Sequence, residues 1–218
     1  MLVEQIMHRA VHTLPPELPI REAIQLAREH RVRHLPVVED GRLIGLVSDQ
    51  DLRAASLSEL GPSEVWERSS QPVSTIMARR VISIHPLDFV EDAARLLYEN
   101  RIGCLPVLRG NELVGILTET DILYRLVEIF GVHRPSQHFE VEVEDKIGIL
   151  ARVSRIFGDH RINIHSVLVE RGDDPRQLKL VYRVQAKDLR GVVKSMKAAG
   201  YRVVWPHKEP RFREKGPR

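Results

Sequence analysis

The sequence predicts an α/β (α+β) protein in two parts, a pair of β-α-β-β-α repeats and then a β-α-β-β-α-β domain. Three observations predict it. About 48 residues occur twice at a constant offset of 70 positions, beginning at Met7 and at Met77, with no gap. Within each copy an apolar pattern of helical spacing precedes two short apolar runs around a polar turn. From His138 onward, helical patterns alternate with strand patterns.

The pairs Met7/Met77, Arg9/Arg79, Pro16/Pro86, Ala23/Ala93, Leu35/Leu105, Gly45/Gly115 and Asp51/Asp121 all keep the offset. Self-similarity at a fixed period marks one supersecondary unit used twice, because a single copy cannot bury its own apolar face. Each repeat opens with a short extended piece, Val11 to Leu14 or Val81 to Ile84, that meets a proline. A helix follows, Ile20 to His30 and Val90 to Asn100, with Ile20, Ala23, Ile24 and Ala27 on one face. Two strands come next, separated by Asp40-Gly41 in the first copy and Gly110-Asn111 in the second, dipeptides suited to a tight hairpin. A second helix starts at Asp49 and at Glu119. These signals place the first repeat at 3–60 and the second at 72–131. The joining stretch Ala55 to Val73, rich in Ser, Glu and Pro, reads as a loop with about one helical turn. Residues 138–206 carry strands from Phe139, Ile162, Leu178 and Tyr201, and helices over Gly148–His160 and Asp188–Ala199. That order is the ferredoxin-like arrangement.

No apolar run approaches the ~18 residues needed to span a membrane. Residues 1–9 hold Glu4 and His8 where a secretion signal needs an unbroken apolar stretch. Cys104 is the only cysteine and forms no internal disulfide, which suits a cytoplasmic location. Residues 1–134 carry 15 basic and 19 acidic side chains, net −4, and residues 135–218 carry 18 and 11, net +7. Residues 207–218 read as a basic, solvated, disordered tail. No aromatic platform or helix-turn-helix pattern accompanies that charge, which argues against a nucleic-acid partner. The ten histidines are scattered, no phosphate loop or nucleophile elbow occurs, and the sequence points to no metal, cofactor or catalytic residue.

The chemistry concentrates in Ser48-Asp49-Gln50-Asp51 and Thr118-Glu119-Thr120-Asp121, two S/T-x-x-D turns at helix starts. One reading is a capping box, in which hydroxyl and acid satisfy the first backbone groups of the helix. The other is a ligand site: free N–H groups suit a phosphate, and a carboxylate accepts ribose hydroxyls. Both hold if the capped turn is itself the site. Asp51 and Asp121 sit in equivalent copies, so nothing pushes their pKa values apart as an acid/base pair requires.

With the LPVV and LPVL strands, the Gly-x-x-S/T strand ends and the aspartates that follow, the repeats resemble a tandem pair of CBS (cystathionine-β-synthase-type) motifs, the Bateman module. The resemblance implies an adenine nucleotide (AMP, ADP or ATP) as a regulatory ligand, with aspartate on the ribose and Ser/Thr near phosphate. By position it implicates Thr13, His34, Leu35, Ser48 and Asp51 in one site and Ser83, Cys104, Leu105, Thr118 and Asp121 in the other. Arg9, Arg31, Arg79, Arg80 and Arg101 are candidate phosphate contacts. Arg33-His34 is bulky where the second copy has Gly103-Cys104, so the two sites are expected to differ in affinity.

Asp145-Lys146-Ile147-Gly148 followed by Asn163-Ile164 resembles an ACT domain, with Ile147 in the position where that family usually has proline. The resemblance implies dimerisation, or an amino-acid ligand held by Asp145, Gly148 and Asn163. The order CBS, CBS, ACT is similar to the acetoin utilization protein AcuB family. It implies a regulatory homodimer rather than an enzyme, with a regulated enzyme partner and an output in acetoin catabolism. Two alternatives remain: an amino-acid sensor working through the ACT domain with the CBS pair as scaffold, and a DNA-binding regulator using the tail.

Overall fold

The structure is a computed structural model that describes residues 1–56, 62–131, 133, 135–172 and 174–206. The expected tail, 207–218, lies outside the described residues. The chain forms two compact units, Met1–Tyr124 and Arg125–Arg218. No helix among the described residues is long and apolar enough to cross a membrane.

In the first unit, α1 (Ile20–His30) buries Ile20, Ala23 and Ala27 and stops at Arg31, whose φ of 54° is left-handed. β1 (His34–Glu39) and β2 (Arg42–Ser48) form an antiparallel hairpin. Its turn residues Asp40 and Gly41 both have positive φ, 48° and 78°, as a two-residue turn matching strand twist requires. α2 (Asp49–Ser56) follows β2 without a loop. The second copy repeats this with α4 (Val90–Asn100), β3 (Cys104–Arg109), β4 (Glu112–Thr118) and α5 (Glu119–Ile129). The sheet order is β1-β2-β4-β3, with Arg42 opposite Glu112 where the two hairpins meet. The extended pieces before each first helix are not full strands. Each contributes one parallel bridge, Leu14 to Val37 and Ile84 to Val107.

The joining stretch differs from expectation. α3 (Pro62–Ser69) makes two helical turns there. Proline at a first helical position loses no hydrogen bond. The Arg21 guanidinium lies 5.6 Å from the Trp66 ring and also donates to Ser70 Oγ at 2.7 Å. Residues 57–61 of that stretch lie outside the described residues.

The repeats complete each other by exchanging their opening segments. Val3 and Met7, which precede the first helix in sequence, are buried with Ile84, Val90, Leu105 and Leu117 of the second copy. Val73 and Met77 are buried with Leu14, Ile20, Leu35 and Val47 of the first. The backbone follows suit: Val3 N–H donates to Asp88 O at 2.9 Å, and Val73 N–H to Leu18 O at 2.8 Å. His8 exchanges two 2.9 Å bonds with Ile116, as Ala78 does with Leu46 at 2.9 and 3.0 Å. The crossing explains one paired glycine. A Cβ on Gly45 would run into Met77 Sδ, and one on Gly115 would lie 2.7 Å from Met7 Sδ and 2.9 Å from His8 O.

The second unit comprises β5 (Gln137–Glu144), α6 (Ile149–Asp159), β6 (Asn163–Arg171), β7 (Gln177–Gln185), α7 (Arg190–Ala198) and β8 (Arg202–Trp205), the predicted order. Its sheet runs β6-β7-β5-β8. Alternate residues Phe139, Val141 and Val143 of β5, with Leu178, Leu180, Tyr182 and Val184 of β7, join Val153 and Phe157 of α6 and Val192 and Met196 of α7 in one core. Phe157 sits edge-on to Phe139 at 5.3 Å and tilts against Tyr182 at 4.8 Å. Asp173, between β6 and β7 in sequence, lies outside the described residues.

Candidate functional site

The two S/T-x-x-D turns are built alike. Ser48 donates to Asp51 Oδ2 through its hydroxyl at 2.6 Å and its backbone N–H at 2.8 Å, and Asp51 N–H donates back to Ser48 Oγ at 3.2 Å. Thr118 and Asp121 repeat the set at 2.7, 2.8 and 3.3 Å. The capping box therefore forms twice, and it engages only one oxygen of each carboxylate. Among the described residues nothing donates to Asp51 Oδ1. An ionised carboxylate oxygen beside a helix N-terminus accepts hydroxyl donors. Asp121 Oδ1 instead accepts from His8 Nε2 at 2.8 Å. Sequence reasoning gave His8 no role. The available signal was the offset itself, which puts alanine (Ala78) at the equivalent position.

Thr13 is exposed and Ser83 half-buried, each one residue before the bridge residue of its repeat. Neither hydroxyl bonds to a Ser/Thr–Asp pair among the described residues. Leu35 and Leu105 place their side chains in the two cores, opposite Val47 and Leu117. His34 stands opposite Ser48, and Cys104 opposite Thr118. The bulky pair of the first copy reaches across to the second. A Cβ on Gly103 would lie 3.0 Å from both Cε1 and Nε2 of His34. Arg33 Nη2 donates to Thr120 Oγ1 at 3.3 Å. The small residues of one copy thus make room for the large ones of the other.

Burial in that junction, aided by the Arg33 guanidinium, pushes the His34 pKa below its ordinary 6.5, against the upward pull of Glu119, Asp49 and Asp51. Below about pH 6.5 the unfolded chain takes up this proton before the folded one does. Stability present above that pH is therefore lost as pH falls toward the folded-state value. Melting temperatures from pH 7.5 to 5 are expected to fall less steeply for His34→Gln than for the native chain, and parallel slopes would contradict the assignment. Burial also raises the Cys104 thiol to about 12, so it stays protonated and serves as a small core residue.

Arg9 and Arg79 donate to backbone carbonyls of their own segments, Glu4 O at 3.2 Å and Ser74 O at 3.3 Å. Arg80 is exposed beside Arg79. Arg31 lines a groove of about 440 Å³ with Arg28, Arg33, Asp49 and Arg53 over an apolar floor of Ile24, Ala27, Val32 and Leu52. Arg101 lines the equivalent groove, about 540 Å³, with Tyr98, Glu99 and Glu119. These linings take in Asp49 and Glu119, not Asp51 and Asp121.

In the second unit Gly148 is left-handed, φ 78°, and among the described residues nothing lies within 4 Å of a Cβ there. Asp145 pairs with Arg171 at 3.7 Å. Asn163 does not join them. The register puts Asn163 opposite Gln185, whereas Glu144, next to Asp145, is opposite Gln177 at the other end of β7. The 11-residue α6 connects the two ends, about 16 Å at 1.5 Å per residue. A groove of about 710 Å³ opens near Gly148, lined by Glu142, Glu144, Lys146, Arg152, Gln177 and Arg202 among others.

Comparison with known proteins matches the CBS domain at residues 3–58 and 73–128, and the ACT domain at residues 138–200. A structure described as an acetoin utilization protein (AcuB) from Vibrio cholerae is 30% identical, with a TM-score of 0.53, over 63% of this chain and 98% of that one. CBSX2 in complex with AMP is 30% identical, TM-score 0.52, over 61% of this chain and 98% of that one. The CBS pair of protein MJ0100, in complex with 5′-methylthioadenosine and S-adenosyl-L-methionine, is 27% identical, TM-score 0.51, over 62% of this chain and 98% of that one. Two domain matches at the repeat positions and a third over the β-α-β-β-α-β unit leave one conclusion: the chain belongs to the CBS-domain family, with two tandem CBS domains followed by an ACT domain.

Proposed function

We propose that this is a regulatory protein whose CBS pair binds an adenine nucleotide of the AMP, ADP or ATP class. The observation that carries the reading is the twice-built hydroxyl–carboxylate turn, in which the cap engages one oxygen and leaves the other for a further donor, met by His8 at Asp121 and by none among the described residues at Asp51. AMP in one relative and S-adenosyl-L-methionine in another support an adenosine-type ligand. The ligand acts by favouring one arrangement of the protein over another, which requires unequal affinity for the two. The working form is a cytoplasmic homodimer that acts on an enzyme partner rather than as an enzyme. The edge strand β6, with Leu168 and Val169 exposed, supports pairing of ACT domains. Likeness to the Vibrio cholerae protein supports an output in acetoin use.

A second reading, an ACT-domain sensor of amino acids, draws on the groove beside Gly148, whose charged lining suits a zwitterion. Thermal melting against AMP, ADP, ATP, S-adenosyl-L-methionine and the common amino acids separates the two. A ligand at a hundred times its Kd stabilises by about 2.7 kcal/mol. The expected result is a rise in Tm with adenine nucleotides. A rise with an amino acid alone transfers the input to the ACT domain.

A further inference from the structure

The two repeats present their carboxylates on the same backbone scaffold but not in the same state. In each, a residue of the exchanged segment pairs with the strand that leads into the S/T-x-x-D turn. That residue is His8 against Ile116 for the second site and Ala78 against Leu46 for the first. All four backbone bonds fall between 2.9 and 3.0 Å, so the two positions carry the same main-chain pairing with different side chains. The His8 imidazole lies 2.8 Å from Asp121 Oδ1, while Thr118 holds Oδ2. An ionised carboxylate only accepts, so His8 Nε2 is the donor. Asp121 is then engaged at both oxygens and its side chain is only 14% exposed, whereas the His8 side chain paired with it is 66% exposed. Alanine at position 78 offers Asp51 no side-chain donor, and among the described residues nothing donates to Asp51 Oδ1.

We infer that His8 is an internal latch on the second site: it occupies the oxygen that a ribose hydroxyl needs, so the first-repeat site fills first and the second fills only when His8 lets go. The inference rests on the adenine-nucleotide reading. It identifies His8 as the residue that makes the two sites unequal, through a contact made across the repeats. It also assigns that inequality to the swapped segment rather than to Arg33-His34, whose side chains pack on Gly103 and Thr120 at the junction.

The test is calorimetric titration of the full chain with AMP, with the sites assigned by Asp51→Asn and Asp121→Asn. Two unequal sites are expected, the weaker one lost in Asp121→Asn. His8→Ala is expected to tighten the weaker site by roughly two- to fivefold, the range of a partly exposed ion pair, and to leave the stronger one unchanged. Ala78→His, on the backbone already in place, is expected to weaken the first site by a similar factor. Equal sites in the native chain, or an unchanged or weakened second site in His8→Ala, overturn the latch while nucleotide binding stands. Absence of AMP binding in the native chain and both exchange variants overturns the nucleotide reading, and the latch with it.

Discussion

Replacing Asp51 and Asp121 together with asparagine is expected to erase most of the stabilisation given by an adenine nucleotide while leaving the chain folded. Each aspartate has two duties. Toward its own helix it accepts from the backbone and hydroxyl of Ser48 or Thr118, and asparagine keeps an acceptor for that. Toward a ribose it offers a charged oxygen, and a hydrogen bond to a charged group is worth about 1.5–3 kcal/mol. Affinity should therefore fall roughly ten- to a hundredfold at each site. Alanine in the same positions also loses the bonds that the carboxylate accepts from Ser48 or Thr118, while the backbone N–H still donates to the capping hydroxyl, so the ligand-induced shift in Tm is the quantity to compare rather than Tm itself. A double-asparagine variant that AMP stabilises as strongly as the native chain would show that the ligand, if bound, bypasses these carboxylates.

The second large effect concerns the crossing of the repeats. Gly115→Ala is expected to destabilise the chain by about 1–3 kcal/mol, because its Cβ would drive into Met7 Sδ at 2.7 Å and His8 O at 2.9 Å. Met7→Ala is expected to cost about 2–5 kcal/mol by opening the core of the second repeat, although Met7 belongs to the first in sequence. The two substitutions should not add. With the methionine gone the new methyl gains room, and the double variant should be more stable than the sum by an amount readable in urea unfolding; the His8 carbonyl keeps part of the cost. Gly45 and Met77 predict the same coupling on the other side. Additivity within about 0.5 kcal/mol would mean that Met7 does not lie on Gly115.

The helices, hairpins and order of strands were readable because each rests on local chemistry. The helix over Ile20–His30 follows from its apolar spacing and ends at the left-handed Arg31, and the Asp40-Gly41 turn follows from residues that tolerate positive φ. The capped turns at Ser48 and Thr118 were readable for the same reason. What could not be read was contact at a distance. Nothing in the local pattern says that Met7 serves the second repeat, or that Gly45 and Gly115 are small because a methionine crosses them. The contrast between Arg33-His34 and Gly103-Cys104 was visible, but its physical meaning, large residues of one copy filling space beside the small ones of the other, belongs to the packed pair. His8 was hidden for the same reason: 113 residues separate it from Asp121. In the joining stretch, composition suggested a loop, and α3 forms beside α1, with Arg21 stacked near Trp66. Asn163 and Gly148, neighbours in the motif, stand at opposite ends of α6 within one chain.

The central claim is that the S/T-x-x-D carboxylates hold a nucleotide. A crystal structure of the protein grown with AMP tests it most directly. The account predicts ribose hydroxyls within hydrogen-bond distance of Asp51 Oδ1, with the Ser48 cap intact and His8 still on Asp121 wherever the second site is unfilled. AMP bound elsewhere, with Asp51 Oδ1 untouched, would contradict it.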